Sequence, residues 1–156
     1  MKKLFLLNIL VLILLQGCIS SKRYFEKGSY DLAINHAVKK LSKKATKSKE
    51  ILILKQAYSI ANQTNKESIA YLKKTGEPDV WDDLFSIFLK MKTRQNKVKT
   101  LPQTILDQID YKYVDYDLEI IEAKKKAAEY FYVHAQTLIN KGDKENSRTA
   151  YSELLK

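Results

Sequence analysis

Two histidines, one cysteine, one tryptophan and ten tyrosines carry most of the chemical potential of this 156-residue chain, and their spacing rules out most of it. His36 and His134 are far apart, each on a helical stretch, so neither a histidine metal site nor a nucleophile–base–acid arrangement is expected. Asp107, Asp110, Asp115 and Asp117 crowd carboxylates around one segment. They lack the alternate-residue spacing around a central glycine that builds a calcium loop, so a solvated acidic loop is expected. No glycine-rich phosphate cradle is present. The reading is therefore of a chain with no catalytic residues, no metal and no cofactor, and not an enzyme. Recognition chemistry remains. Trp81 is expected in the core, whereas Tyr111, Tyr113 and Tyr116 sit in a stretch with no apolar stripe to bury them. They are the candidate ligand or partner contacts, through stacking on sugar rings or peptides.

Cys18 has no second cysteine to pair with, which excludes a disulfide framework and a cysteine metal site. Ahead of it lie Lys2 and Lys3 and then an apolar run from Leu4 to Leu15, broken only by Asn8. The run falls short of the ~20 apolar residues that span a bilayer and matches a secretory leader. Leu15-Gln16-Gly17-Cys18 resembles the lipobox of bacterial lipoproteins, with Gln16 a less usual occupant of its position. The resemblance implies that residues 1–17 are a signal peptide, that Cys18 is diacylated on sulfur, and that its freed amine is acylated. Each buried methylene of such chains adds about 0.8 kcal/mol of membrane affinity. Ile19 in place of aspartate resembles the outer-membrane sorting signal of diderm bacteria. Ser20-Ser21-Lys22-Arg23 lacks the acidic cluster that marks surface export in Bacteroidetes lipoproteins. An outer-membrane lipid anchor facing the periplasm is the expected location.

The formal charge is +10, and Lys2 and Lys3 take two of those charges with the leader, leaving +8 on the mature chain. Such a balance draws a protein to anionic surfaces: lipid headgroups, cell-wall polymers or an acidic protein face. Nucleic acid is not an expected partner, because an exported chain does not meet it and no recognition motif is present. The densest cluster is Lys39, Lys40, Lys43, Lys44, Lys47 and Lys49.

Four glycines and two prolines punctuate the chain, apolar residues recur at helical spacing after Tyr24, and no stretch alternates with period two. The fold class is all-α. Tyr24 and Phe25 close a brief helix, Gly28 permits the turn, and Ala33, Ile34, Ala37, Val38 and Leu41 stripe the next. Ile51 to Ala61 is apolar and helical, and Asn62 to Asn65 are expected to bend or break it before Ile69. Gly76 stops that element and Pro78-Asp79 starts another, with Val80, Trp81, Leu84, Phe85, Phe88 and Met91 on one face and Lys90, Lys92 and Arg94 towards its end. Pro102 opens a short element through Ile109. Residues 110–117 read as a loop, and a long helix follows to about Lys141 with Leu118, Ile121, Ala128, Tyr132, Ala135 and Ile139 as its stripe. Gly142-Asp143 turns into a last apolar face of Ala150, Tyr151, Leu154 and Leu155.

Two segments resemble tetratricopeptide repeats. One carries Phe131, Ala135, Leu138, Gly142, Ser147 and Tyr151 at the aromatic, small, contact, turn, small and aromatic positions; the other runs from Tyr24 to Ile34 with Ala33 at the small position. Ala37, His134 and Lys144 depart from the pattern. The chain resembles the N-terminal part of a Bacteroidetes-type repeat lipoprotein, which implies antiparallel helical hairpins stacked as a short solenoid. Residues 18–47 would form the lipidated N-terminus and first repeat-like hairpin, 48–101 the middle hairpins, and 102–156 a connecting loop and an incomplete C-terminal repeat. Leu154-Leu155-Lys156 supplies no polar capping helix, so either the chain is a truncated form or fragment, or this end is expected to dock on a partner. Two functions are expected on these grounds: a lipid-tethered scaffold that holds another envelope protein, or a glycan- or peptide-binding accessory lipoprotein of a nutrient uptake system.

Overall fold

Seven helices and no strand make up the described residues of the computed structural model, which are 20–142 and 144–155. Cys18 and the segment 1–17 lie outside them. The order is α1 (Ser21–Glu26), α2 (Tyr30–Leu41), α3 (Ser48–Thr75), α4 (Val80–Lys99), α5 (Gln103–Gln108), α6 (Asp117–Asn140) and α7 (Lys144–Leu154). No helix among the described residues is long and apolar enough to cross a membrane.

Ser20 caps α1, its hydroxyl accepting from the Arg23 amide at 3.3 Å, and Gly28 turns the chain at φ +71°. The turn folds α2 back so that Tyr24 meets His36 with ring centroids 4.9 Å apart. Ala33, Ile34, Ala37 and Leu41 then bury one face of α2 against Ile51, Leu54, Ala57 and Ala61 of α3. Four of these eight residues are alanines, which lets the two backbones approach closely. Val98, Leu101, Ile105, Leu106 and Ile109 from the end of α4 and from α5 complete this first core. A second core forms where Leu84 and Phe88 of α4 meet Ala123 of α6, with Ile69, Leu72, Trp81 and Ile120 around them. Ala135, Leu138 and Ala150 make a third, small core between α6 and α7.

Three sequence expectations change. α3 is one unbroken helix of 28 residues, neither bent nor broken at Asn62–Asn65. The competing side chains are occupied elsewhere: the Asn62 and Asn65 oxygens accept hydrogen bonds from Arg94 and leave the helix ladder alone. In α6 most of the expected stripe faces outward. Leu118 is 79% exposed and Ile121 64%, while Ala123, Ala127, Ala135 and Leu138 are buried. Among the repeat positions, Ala150 and not Ser147 is the small residue buried at the α6–α7 crossing, and Tyr151 is exposed. Alanines carry little hydrophobic signal, so a face built from them is hidden behind a louder one.

Candidate binding surfaces

Two adjacent polar residues of α4 organise the middle of the molecule, and both are buried where apolar side chains would be expected. Arg94 is 4% exposed and Gln95 2%. Arg94 uses its whole guanidinium: Nε donates to Asp31 Oδ1 at 2.7 Å, one terminal nitrogen to Asn62 Oδ1 at 2.7 Å, and the other to Asn65 Oδ1 at 2.8 Å. Lys90 approaches the other Asp31 oxygen at 3.2 Å. Burial alone would raise the Asp31 pKa, but the hydrogen bonds and charges of Arg94 and Lys90 outweigh it and hold the carboxyl below its ordinary 3.8. The node ties α2, α3 and α4 together. The sequence groups Arg94 with Lys90 and Lys92 as cations near a helix end; the fold buries Arg94, leaves Lys90 exposed beside it on the same aspartate, and sends Lys92 to Asp117. The helix continues to Lys99, and Leu84, Phe88, Met91, Gln95 and Val98 fall on one i+3/i+4 stripe, a signal that marks position 95 as inward-facing.

Gln95 faces the tyrosine segment. Its Nε2 donates to the Val114 carbonyl and its Oε1 accepts from the Val114 amide, both at 2.8 Å, the pairing a neighbouring strand would supply. Residues 111–116 have no helix or strand of their own, yet Gln95 fixes their middle and the Lys55–Asp110 ion pair at 2.6 Å ties their start to α3. Asp110 itself adopts φ +56°, a conformation that costs a non-glycine residue about 1–3 kcal/mol and persists only where its surroundings enforce it.

The three tyrosines diverge. Tyr111 packs inward against Tyr58 of α3 at 6.2 Å, and its buried hydroxyl has no hydrogen-bond partner among the described residues. Tyr116 packs against Phe88 of the second core at 6.4 Å. Tyr113 is 58% exposed, with Lys99 Nζ 4.9 Å above its ring. They do not form a shared stacking platform. Burial raises the hydroxyl pKa of Tyr58, Tyr111 and Tyr116, so these groups stay neutral donors at neutral pH. Between α3 and this loop lies a cleft of about 330 Å³ walled by Tyr58 and Tyr116, with Lys55, Lys66, Lys112 and Asp110 at its edge.

Trp81 is half-buried in a second cleft of about 630 Å³ between the start of α4 and α6, shared with Tyr130, Val133 and His134. Lys126 Nζ lies 3.9 Å above the indole and also pairs with Glu122 at 2.8 Å. His134 stacks on Tyr130 at 5.6 Å and has Glu153 3.7 Å from Nδ1. Each histidine is thus packed on a tyrosine, and no cluster of metal-binding side chains exists among the described residues. Asp110 and Asp117, from the acidic segment, answer lysines across helices, Lys55 and Lys92 respectively.

One further polar group knits the entrance to the fold. Ser21, fully buried, donates its hydroxyl to Glu50 of α3 and accepts from Lys40 Nζ at 3.2 Å, while Lys40 reaches Glu50 at 2.7 Å. A serine and a lysine at this distance form a nucleophile–base pair only if a substrate can reach them. With the serine at 0% exposure, the group acts as a structural clasp among α1, α2 and α3.

The outward face of α6 carries Leu118, Ile121, Tyr132 and Ile139 at 51% to 79% exposure, with Ala128 also exposed and Lys125 between. Counted from Leu118, these positions and Ala135 follow alternating three- and four-residue steps, but Lys125 interrupts the apolar stripe and Ala135 is buried against α7, so the exposed apolar side chains form two short patches, Leu118 with Ile121 and Tyr132 with Ile139. No protein-family model, no curated protein and no solved structure matches the chain.

Proposed function

We propose that this chain is a lipid-anchored helical-repeat scaffold of the bacterial envelope, held at the periplasmic face of the outer membrane by acyl chains on Cys18, which binds another envelope protein. The observation that carries the proposal is the α6 seam, where the apolar side chains of Leu118, Ile121, Tyr132 and Ile139 stand exposed on one helix. A solenoid of tetratricopeptide type is supported by the packing order, in which α1–α2, α2–α3, α3–α4 and α6–α7 lie against each other as chain neighbours, while α1–α3, α2–α4, α3–α5 and α4–α6 touch as second neighbours. The partner is an amphipathic helix whose apolar residues fill the seam, and tethering both molecules to one envelope raises their effective concentration. A photocrosslinking amino acid at position 121 or 132, introduced in cells, tests this. Capture of one defined protein at both positions, lost on adding Leu118→Asp, supports the reading. Absence of any adduct from 121 and 132 overturns it, and an adduct with a second copy of the chain replaces the foreign partner with self-association.

A second reading, an accessory glycan-binding lipoprotein, is favoured by the cleft at the tyrosine loop. Its volume lies near the lower end of the ~300–1,000 Å³ typical of ligand pockets, and its three lysines outnumber one aspartate. A single anionic sugar suits it. Titration with glucuronate should then saturate and be weakened by Lys66→Ala and Lys112→Ala; equal response to glucose removes this reading.

A further inference from the structure

The clasp at Ser21 fixes where the chain leaves the fold towards its N-terminus. Ser21 touches Lys40, one residue from the end of α2, and Glu50, in the first turn of α3. The exit point therefore lies beside the α2–α3 turn, which holds the densest basic run in the sequence. Lys39, Lys43, Lys44, Lys47 and Lys49 are all exposed. Each is within four residues of Lys40 or Glu50, so at ~3.8 Å per step none is more than about 15 Å from the clasp. The Glu50 carboxylate is already engaged by Lys40 and Ser21, and Glu26 of α1 pairs with Lys22 at 3.5 Å. Glu50 also feels the charge of Lys47, but one carboxylate cannot balance the five exposed lysines of the turn. Two steps of chain join Cys18 to Ser20, a reach of at most about 7 Å.

We propose that the α2–α3 turn is a second membrane contact, in which Lys39, Lys43, Lys44, Lys47 and Lys49 lie on anionic lipid headgroups beside the acyl anchor. The inference rests on the lipidation of Cys18 for its orientation and not for its charge. Lysines near an anionic leaflet each strengthen adsorption, and the attraction fades within a Debye length. With both contacts at one end, α3 projects away from the leaflet and the α6 seam is held clear of the lipid.

The full chain reconstituted into vesicles tests this, with a water-soluble amine reagent and mass spectrometry to locate the labelled lysines. In vesicles of phosphatidylglycerol and phosphatidylcholine, labelling of Lys43, Lys44, Lys47 and Lys49 should fall by about threefold or more relative to phosphatidylcholine alone, and recover in high salt. Lys73 and Lys74, in the last turn of α3, should label equally in both. Equal labelling of the turn lysines in the two lipids overturns the proposal. The same spectra read the mass at Cys18. An unacylated cysteine with protected lysines removes the anchor and leaves the lipid contact standing, whereas an acylated cysteine with unprotected lysines does the reverse.

Discussion

Arg94 is the residue on which most of the interior polar network depends. Its truncation to alanine leaves two amide oxygens unpaired and a half-buried aspartate with Lys90 alone, so Arg94→Ala should destabilise the fold by about 1–3 kcal/mol, the cost of leaving such polar groups unsatisfied. Arg94→Lys keeps the charge but cannot reach three acceptors in one plane, and urea unfolding should place it between the two. The same node sets an acid response. The folded pKa of Asp31 lies below 3.8, and that of Glu50 is held below 4.5 because Lys40 and Ser21 overcome the effect of burial. Groups with depressed folded values contribute stability above their unfolded pKa and lose it as the pH falls through the folded one. Stability should therefore decline from about pH 4.5 downward, and Asp31→Asn should flatten that decline relative to the parent in denaturant titrations at about pH 3 and pH 7. Tyr111→Phe separates structure from recognition. Removing a buried hydroxyl without a partner should leave stability unchanged or raise it, by up to about 1–3 kcal/mol, in thermal unfolding.

At the scale of elements, the turns were legible because glycine and proline say what they do. Gly76 closes α3 at φ +68°, and open space surrounds the point where a Cβ would stand, so Gly76→Ala should cost about 1–2 kcal/mol from backbone strain alone, checked by urea unfolding. The brief first helix, the α2 stripe and the loop at 111–116 followed from the same kind of signal. Other features escaped it. Asn62 and Asn65 suggest a break because their side chains compete with the backbone, and only a distant arginine, 29 and 32 residues along, removes that competition. The α6 stripe misled for a different reason: Leu118, Ile121 and Tyr132 outshout Ala123 and Ala127, although the alanines face the core. The candidate contacts at Tyr111, Tyr113 and Tyr116 were legible as a group, but their separate destinations were not. Those depend on Tyr58, Lys99 and Phe88, none of which is near in sequence. The role of Gln95 was readable only from its place in a stripe. Gln95→Ala should expose the Val114 amide, so hydrogen exchange there should accelerate while the α2–α3 amides keep their protection.

For the molecule as a whole, the three cores differ greatly in size, and local stability should follow. α7 is held by a cluster of Ala135, Leu138 and Ala150, whereas α2 and α3 share a core of more than a dozen residues with α5. Hydrogen exchange should thus be fastest in α7 and slowest in α3. The helix α3 also spans the first and second cores, since Ile51 and Leu54 belong to one and Ile69 and Leu72 pack on the other. At ~1.5 Å per residue it is a rod about 42 Å long, without a joint. If the chain is anchored and partnered as proposed, a pull applied at the far side by the partner would travel along this strut undamped. Its foot would press or lift at the lysine turn, so that the strength of seating on the leaflet, and not the give of the protein, would decide how much tension the tether can bear.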